Sequence, residues 1–169
     1  MQLLTFKLEG AAYLGALTDT GVVNLGTAAP EDIAFSSMQH FIEAGQPALY
    51  RAYALLASSS VTIPIDQVEC LAPLPVPAQI RDCLGFEEHL KNSFESAIKL
   101  NAMAMDDPVK AEEELRASGR FAVPEIWYQQ PLYYKANRFS VAQSGKDIVW
   151  PDYSEVMDFE LEIACVIGK

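Results

Sequence analysis

Acidic and apolar residues alternate strictly near the end of the chain, in the segment D-F-E-L-E-I-A-C-V-I-G-K. Successive side chains of a β-strand point to opposite faces, so a strand here would place Asp158, Glu160 and Glu162 on one face. The other face would be apolar, and the A-C-V-I that follows is apolar on both faces. The pattern therefore predicts a buried strand that begins near Met157 and carries three carboxylates.

Glu160 and Glu162 are candidate metal ligands on that strand. Their positions would be roughly 6.5 to 7 Å apart along the backbone, close enough to converge on one cation. Carboxylate oxygens suit Mg²⁺ first, and Ca²⁺ or Mn²⁺ similarly. The spacing alone favours a simpler alternative, a half-buried strand with a solvated polar face. The apolar surroundings shift the balance towards a metal site, because a buried carboxylate without a cation is costly.

Composition restricts the partners and the compartment of the chain. Half of its 169 residues are hydrophobic, which is enough for a real core, and the net charge of -11 repels phosphate backbones and anionic membranes. We expect no nucleic acid and no membrane among its partners. The three cysteines form no C-x-x-C pair, and the first residues show no secretory signal, so a cytoplasmic protein is expected.

The first 70 residues are predicted to form a small α/β domain of short strands and two helices. Residues 3–25 favour a meander of strands, and a helix should open near Pro30 and stop at Gly45. A second helix would follow with Leu49, Tyr53 and Leu56 inward. The segment 61–65 is predicted to be a strand. The proline-rich L-A-P-L-P-V-P at 71–77 then separates domains 1–70 and 71–169.

The region after the prolines predicts a mixture of strands and helices, and therefore an α+β chain. Residues 80–83 favour a short strand that leads into a helix near Gly85, whose apolar stripe would place His89 inward. The segment D-P-V-K-A-E-E-E-L-R-A-S-G is typical of a solvated helix. From Trp127 onward strands and turns are expected, including a strand at 148–150.

Asp82 and His89 form a second candidate site, because both could face one cleft at the start of that helix. A histidine could act as a general base, although a lone inward histidine is more often a core residue. An aromatic hydroxyl and cationic donors that could hold an oxyanion or a substrate carboxylate come from Tyr133, Tyr134, Lys135 and Arg138; strand aromatics in a core with exposed bases are somewhat more common. Cys83 is interpreted as a packing residue rather than a nucleophile.

Three segments together resemble the fumarylacetoacetate hydrolase family. They are R-D-C-L-G-F-E-E-H at 81–89, P-L-Y-Y-K-A-N-R-F-S-V at 131–141 and the terminal acidic segment. The resemblance covers the N-terminal half of a family member. It implies a small N-terminal domain followed by the truncated start of a fumarylacetoacetase-like mixed β-roll, so we expect the chain to be a fragment that is inactive alone.

The same resemblance implies a set of residue roles. A divalent cation would be held by Asp82, Glu160 and Glu162, with Mg²⁺ as the first choice and Ca²⁺ or Mn²⁺ as alternatives. His89 falls at the position of the general base, and Tyr134 at that of a tyrosine that contacts substrate.

The implied reaction is hydrolytic cleavage of a carbon–carbon bond in a β-diketone or acylpyruvate-like oxo acid, as in aromatic catabolism. Leu84 and Ile98 replace a substrate-contacting tyrosine and a substrate-binding arginine, so the substrate stays open. An isomerase or decarboxylase of related oxo acids on the same scaffold, or a non-catalytic remnant, are the alternatives. The full-length form is expected to be a homodimer.

Overall fold

The computed structural model describes residues 1–155 and 157–168. They form two compact units. The first consists of Met1–Ala78 together with the described residues from Asn137 onward, and the second of Gln79–Ala136. Both contain helices and strands, which confirms the predicted α+β class. The domains 1–70 and 71–169 stay a prediction, because compactness alone does not show which segment folds independently.

A four-stranded antiparallel sheet forms the base of the first unit. Strands β1 (Gln2–Leu8), β2 (Ala11–Thr18) and β3 (Gly21–Asn24) make the predicted meander, and β4 (Glu69–Cys70) pairs with β1. The order across the sheet is β3-β2-β1-β4. Sequence reasoning missed β4, because a two-residue strand carries no periodicity.

Helices cover this sheet. They are α1 (Leu25–Ala28), a 3₁₀ turn (Ile33–Phe35), α2 (Met38–Ala44) and α3 (Gln46–Ser58). The helix predicted after Pro30 is thus divided in two, because the Ser37 side chain caps a new start by accepting the backbone N–H of His40. Gly45, with φ of 63°, ends α2 as predicted, and Pro47 lies in the first turn of α3.

The core of the first unit lies between these helices and the sheet. Its buried members are Leu14, Ala16, Val23, Leu25, Ala34, Phe35, Met38, Phe41, Ala48 and Ala52. Helix α3 therefore meets the core through two alanines, with Leu49 and Leu56 packed partly against it. Tyr53, predicted to face inward, is half exposed. The small alanine side chains bring the helix backbone close to the sheet, and a tyrosine would not fit on that face.

The strand predicted at 61–65 is also wrong. This segment makes an isolated bridge, in which Ile63 and Val22 exchange two backbone hydrogen bonds of 2.7 and 2.8 Å. Pro64 follows immediately and has no N–H to extend the ladder, and the chain enters a 3₁₀ turn at Ile65–Gln67.

The second unit is built from a two-stranded ladder and three helices. Its elements are β5 (Arg81–Cys83), α4 (Glu87–Met103), α5 (Pro108–Ala117), α6 (Glu125–Gln129) and β6 (Tyr133–Lys135). Strand β5 and helices α4 and α5 were predicted. Helix α6 was not, because five residues are too few to show a helical repeat.

Helices α4 and α5 form a hairpin with a small core. Leu90, Ile98 and Ala102 of α4 are its buried residues. Arg116 of α5 makes a bidentate ion pair with Glu95 of α4, in which two guanidinium nitrogens lie 2.7 and 2.8 Å from the two carboxylate oxygens. Polar contacts on the helix surfaces thus supplement a core that is much smaller than that of the first unit.

The strands predicted at 148–150 and from Met157 are corrected by the structure. The described residues 157–168 form no strand, and Leu161 is 98% exposed. A strand is stabilised by hydrogen bonds to a neighbouring strand. The sequence pattern supplies the alternation of faces but does not supply that neighbour.

Candidate functional site

The β5–β6 ladder brings two of the predicted site residues together. Asp82 lies directly opposite Tyr134 in this antiparallel pair, so their side chains share one face. The Tyr134 hydroxyl donates a hydrogen bond to Oδ2 of Asp82. One carboxylate oxygen is thereby oriented by a phenol that is itself largely exposed.

The opposite face of the ladder carries cationic side chains. Arg81 and Lys135 are paired across the strands, and the Arg81 guanidinium lies 4.9 Å from the centre of the Tyr133 ring. Lys135 therefore points away from the Asp82 and Tyr134 face. Anion binding by the segment 133–138 stays a prediction, with Tyr134 and Lys135 on opposite faces of the ladder.

His89 lies in the first turn of α4 and is exposed, so the prediction of an inward histidine is wrong. The buried face of α4 follows a spacing of four residues from Leu90 through Phe94 and Ile98 to Ala102, with Phe94 partly buried. His89 is one position before this row and is rotated away by roughly 100°. Its imidazole is therefore accessible to a solute.

The predicted metal ligands lie in both units. Asp82 is in the second unit and partly buried, whereas Glu160 and Glu162 are exposed in the first. Within residues 1–155 and 157–168, no group of three His, Cys, Asp or Glu side chains is close enough to hold a metal ion. The cation and its three carboxylates stay a prediction. Cys83 is exposed, so its predicted packing role is wrong.

An open cleft of about 350 Å³ lies beside the ladder. Its walls are the segments 83–85 and 127–132, which adjoin Asp82 and Tyr134 in sequence. The Trp127 indole N–H donates to the Leu84 carbonyl at 2.8 Å, and the Leu84 N–H donates to the Leu132 carbonyl at 3.0 Å. Sequence reasoning missed this cleft, whose signal is the W-Y-Q-Q-P segment after Pro124.

Three charged or polar side chains are linked at the start of α4. Oε1 of Glu87 lies 2.6 Å from both the Lys91 ammonium and the Tyr128 hydroxyl. Lys91 first, and Tyr128 second, lower the pKa of Glu87. Glu87 in turn raises the pKa of Lys91 and of Tyr128. At neutral pH, Glu87 is ionised and Tyr128 keeps the proton that it donates.

A family model described as the C-terminal domain of fumarylacetoacetate (FAA) hydrolase matches residues 96–169. This part of the chain is similar to the fumarylacetoacetate hydrolase family, and the match confirms the resemblance. The match includes Tyr134, Glu160 and Glu162 but begins after Asp82 and His89. No curated protein matches the chain.

The family includes hydrolases, isomerases and decarboxylases, so the chain is related to a group of enzymes. Among the helices of the part of the chain that the structure describes, none combines the length and the apolar character needed to cross a bilayer.

Proposed function

We propose that the protein is a metal-dependent hydrolase that cleaves a carbon–carbon bond in a β-diketone or acylpyruvate-like oxo acid. The observation that supports this most is the pairing of Asp82 with Tyr134 on one ladder face, just before and within a segment of the matched family. A phenol hydroxyl can donate to a substrate oxygen, and a carboxylate can ligate a cation that binds such an oxygen.

His89 is proposed as the general base. Its exposed imidazole on the first turn of α4 can take a proton from water onto a ring nitrogen, and the resulting hydroxide attacks a substrate carbonyl. The carbon–carbon bond then breaks, and the departing carbon is protonated after leaving as an enolate. Tyr134 is proposed to bind a substrate oxygen by turning its hydroxyl proton from Oδ2 of Asp82 towards that oxygen.

A divalent cation, with Mg²⁺ preferred to Ca²⁺ or Mn²⁺, is part of the proposal. Asp82, Glu160 and Glu162 would hold it, and their hard oxygen donors match these ions. When bound, the cation would polarise substrate oxygens and stabilise the enolate. The roles given to His89 and Tyr134 do not depend on the ion's position.

An acylpyruvate assay on the full-length form of the protein tests the reaction. With Mg²⁺ present, we expect the enol absorbance to fall as two carboxylic acids form, one of them pyruvate. His89→Ala should lower the rate about 100-fold or more, the usual contribution of a general base. His40→Ala is the matched control, since His40 is an exposed histidine of the first unit. Release of CO₂, or a spectral change without cleavage, would contradict a hydrolase.

Calorimetric titration with Mg²⁺ and Mn²⁺ tests the cation separately. We expect saturable binding that is lost in Glu160→Ala and kept in Asp152→Ala, a substitution of another exposed acid in the same unit. The absence of heat at millimolar metal in the unsubstituted protein would contradict the assignment. A homodimer of the full-length form is also proposed, and sedimentation velocity of that form would show a monomer if the proposal is wrong.

A further inference from the structure

We propose that Trp127 and Tyr128 are positioning residues that hold the connection between β5 and α4, and thereby fix His89 relative to Asp82. Asp82 lies on β5 and His89 in the first turn of α4, and only residues 84–86 join these two elements along the chain. This inference rests on the proposed function of that site. It concerns two side chains of α6 that reach the connection from the other wall of the cleft.

Leu84 is fixed through both of its backbone groups. Its carbonyl accepts the Trp127 indole N–H at 2.8 Å, and its N–H donates to the Leu132 carbonyl at 3.0 Å. The second bond continues the β5–β6 ladder by one more step. The first has no equivalent in a sheet, and it requires the indole nitrogen of a tryptophan.

Tyr128 holds the other end of the connection. Its hydroxyl donates to Oε1 of Glu87, the first residue of α4, at 2.6 Å. The Lys91 ammonium shares the same oxygen at 2.6 Å, one helical turn further along. A hydrogen bond to an ionised carboxylate is stronger than one between neutral groups. Two consecutive residues of α6 thus bind the beginning and the end of the same loop.

The connection has little else in its own sequence to fix it. Phe86, the residue before α4, makes no side-chain capping hydrogen bond within the described part of the chain, and it is 77% exposed. Gly85 adds conformational freedom because it has no Cβ to restrict its backbone. The order of this loop therefore depends on contacts from outside it.

A change in the start of α4 would move His89 directly. His89 is the third residue of the helix, in the same turn as Glu87. Displacing a catalytic group by about 1 Å can lower a rate about 100-fold without altering what binds substrate. Loss of either contact should therefore lower kcat and leave KM for the oxo acid unchanged.

The test uses two substitutions that remove one hydrogen bond each. Trp127→Phe deletes the indole N–H, and Tyr128→Phe deletes only a hydroxyl, so the second variant remains informative if the first fails to fold. The controls are Trp150→Phe, which deletes an indole bond to the Ser154 carbonyl in the first unit, and Tyr153→Phe, which changes a largely exposed tyrosine.

Amide hydrogen exchange across residues 84–91 should be faster in both test variants than in both controls. In the acylpyruvate assay, kcat should fall about 10-fold or more in the test variants, with KM unchanged. Unchanged exchange, or a kcat equal to that of the controls, in an active protein would overturn the positioning role alone. A full-length parent protein that cleaves no oxo acid would instead overturn the proposed function, and the positioning role with it.

Discussion

Each of the two units of this protein is stabilised internally by a different kind of interaction. The first encloses ten buried apolar residues between a sheet and its helices, whereas the second buries three residues of one helix and relies on surface pairs such as Arg116 with Glu95. Burial of apolar area contributes several times more free energy than an exposed ion pair. The stability of the first unit should therefore depend on how its core side chains pack, and that of the second on charge, and hence on salt and pH.

Truncation of a core side chain in the first unit should have the largest effect. Leu14 is completely buried, so Leu14→Ala should lower the free energy of unfolding by about 2 to 5 kcal/mol. Urea denaturation followed by circular dichroism measures it. Ile33→Ala, at a position that is 72% exposed, should change stability by no more than about 0.5 kcal/mol. Equal losses in the two variants would show that the core is looser than its burial indicates.

Addition of one methyl group gives the next largest effect. A Cβ at Gly15 of β2 would lie 2.7 Å from both the Phe6 ring and Cγ1 of Val22, which are fully buried. Gly15→Ala should therefore cost about 1 to 3 kcal/mol in the same measurement, the usual range for overpacking. Gly85→Ala, where the space is open, is the control. A neutral Gly15→Ala would mean that these neighbours can move apart.

Patterns of local sequence predict much of this fold. The alternation in residues 3–25 predicts the meander, and Pro108 and Gly119 bracket the observed helix α5, because these residues begin and end helices for steric reasons. The fumarylacetoacetate hydrolase resemblance, confirmed by the family match, also came from short motifs. Such signals depend on neighbours along the chain and need no tertiary structure.

The predictions that are wrong concern residues whose burial or pairing is set by contacts with distant parts of the chain. His89 was placed inward because a broad apolar stripe cannot distinguish it from Leu90, and only packing selects the row that is buried. The alternation around Glu160 is compatible with a strand, but pairing requires a neighbour that the pattern does not contain. The contacts of Trp127 and Tyr128 join residues more than 40 positions apart, so no local rule could reveal them.

Loss of the main ion pair should affect the second unit only slightly, and in a salt-dependent way. Arg116 binds Glu95 and Glu112, and Arg116→Ala should reduce the melting temperature at low salt. Screening at about 1 M salt should remove most of the difference from the parent protein. Lys110→Ala is the control, because Lys110 makes a longer pair of 3.7 Å with Glu114. A loss that is independent of salt would point to packing by the arginine stem instead.

Acid should produce the smallest and most specific difference between the two units. Lys91 first, and then Tyr128, lower the pKa of Glu87, and Arg51 lowers that of Asp32 in the first unit. A carboxylate whose pKa is lowered by folding stabilises the fold at a pH above its pKa in the unfolded state. It loses this contribution as the pH falls through its pKa in the folded state. The loss of stability therefore begins below pH 4.5 for Glu87 and below pH 3.8 for Asp32, the ordinary pKa values of these groups.

The two tryptophans allow this acid response to be assigned. Trp127 lies in the second unit and Trp150 in the first, so Trp150→Phe leaves a protein whose tryptophan emission comes from the second unit alone. The melting temperature of that variant should fall as the pH is lowered past 4.5, the ordinary pKa of a glutamate. Adding Glu87→Gln should make the melting temperature depend less on pH in this range. At neutral pH the melting temperature should fall only slightly, because the hydrogen bond to Tyr128 survives and only the charge pair with Lys91 is lost. An unchanged acid response in the double variant would place the titrating group elsewhere, with Glu95 as the next candidate because Arg116 lowers its pKa.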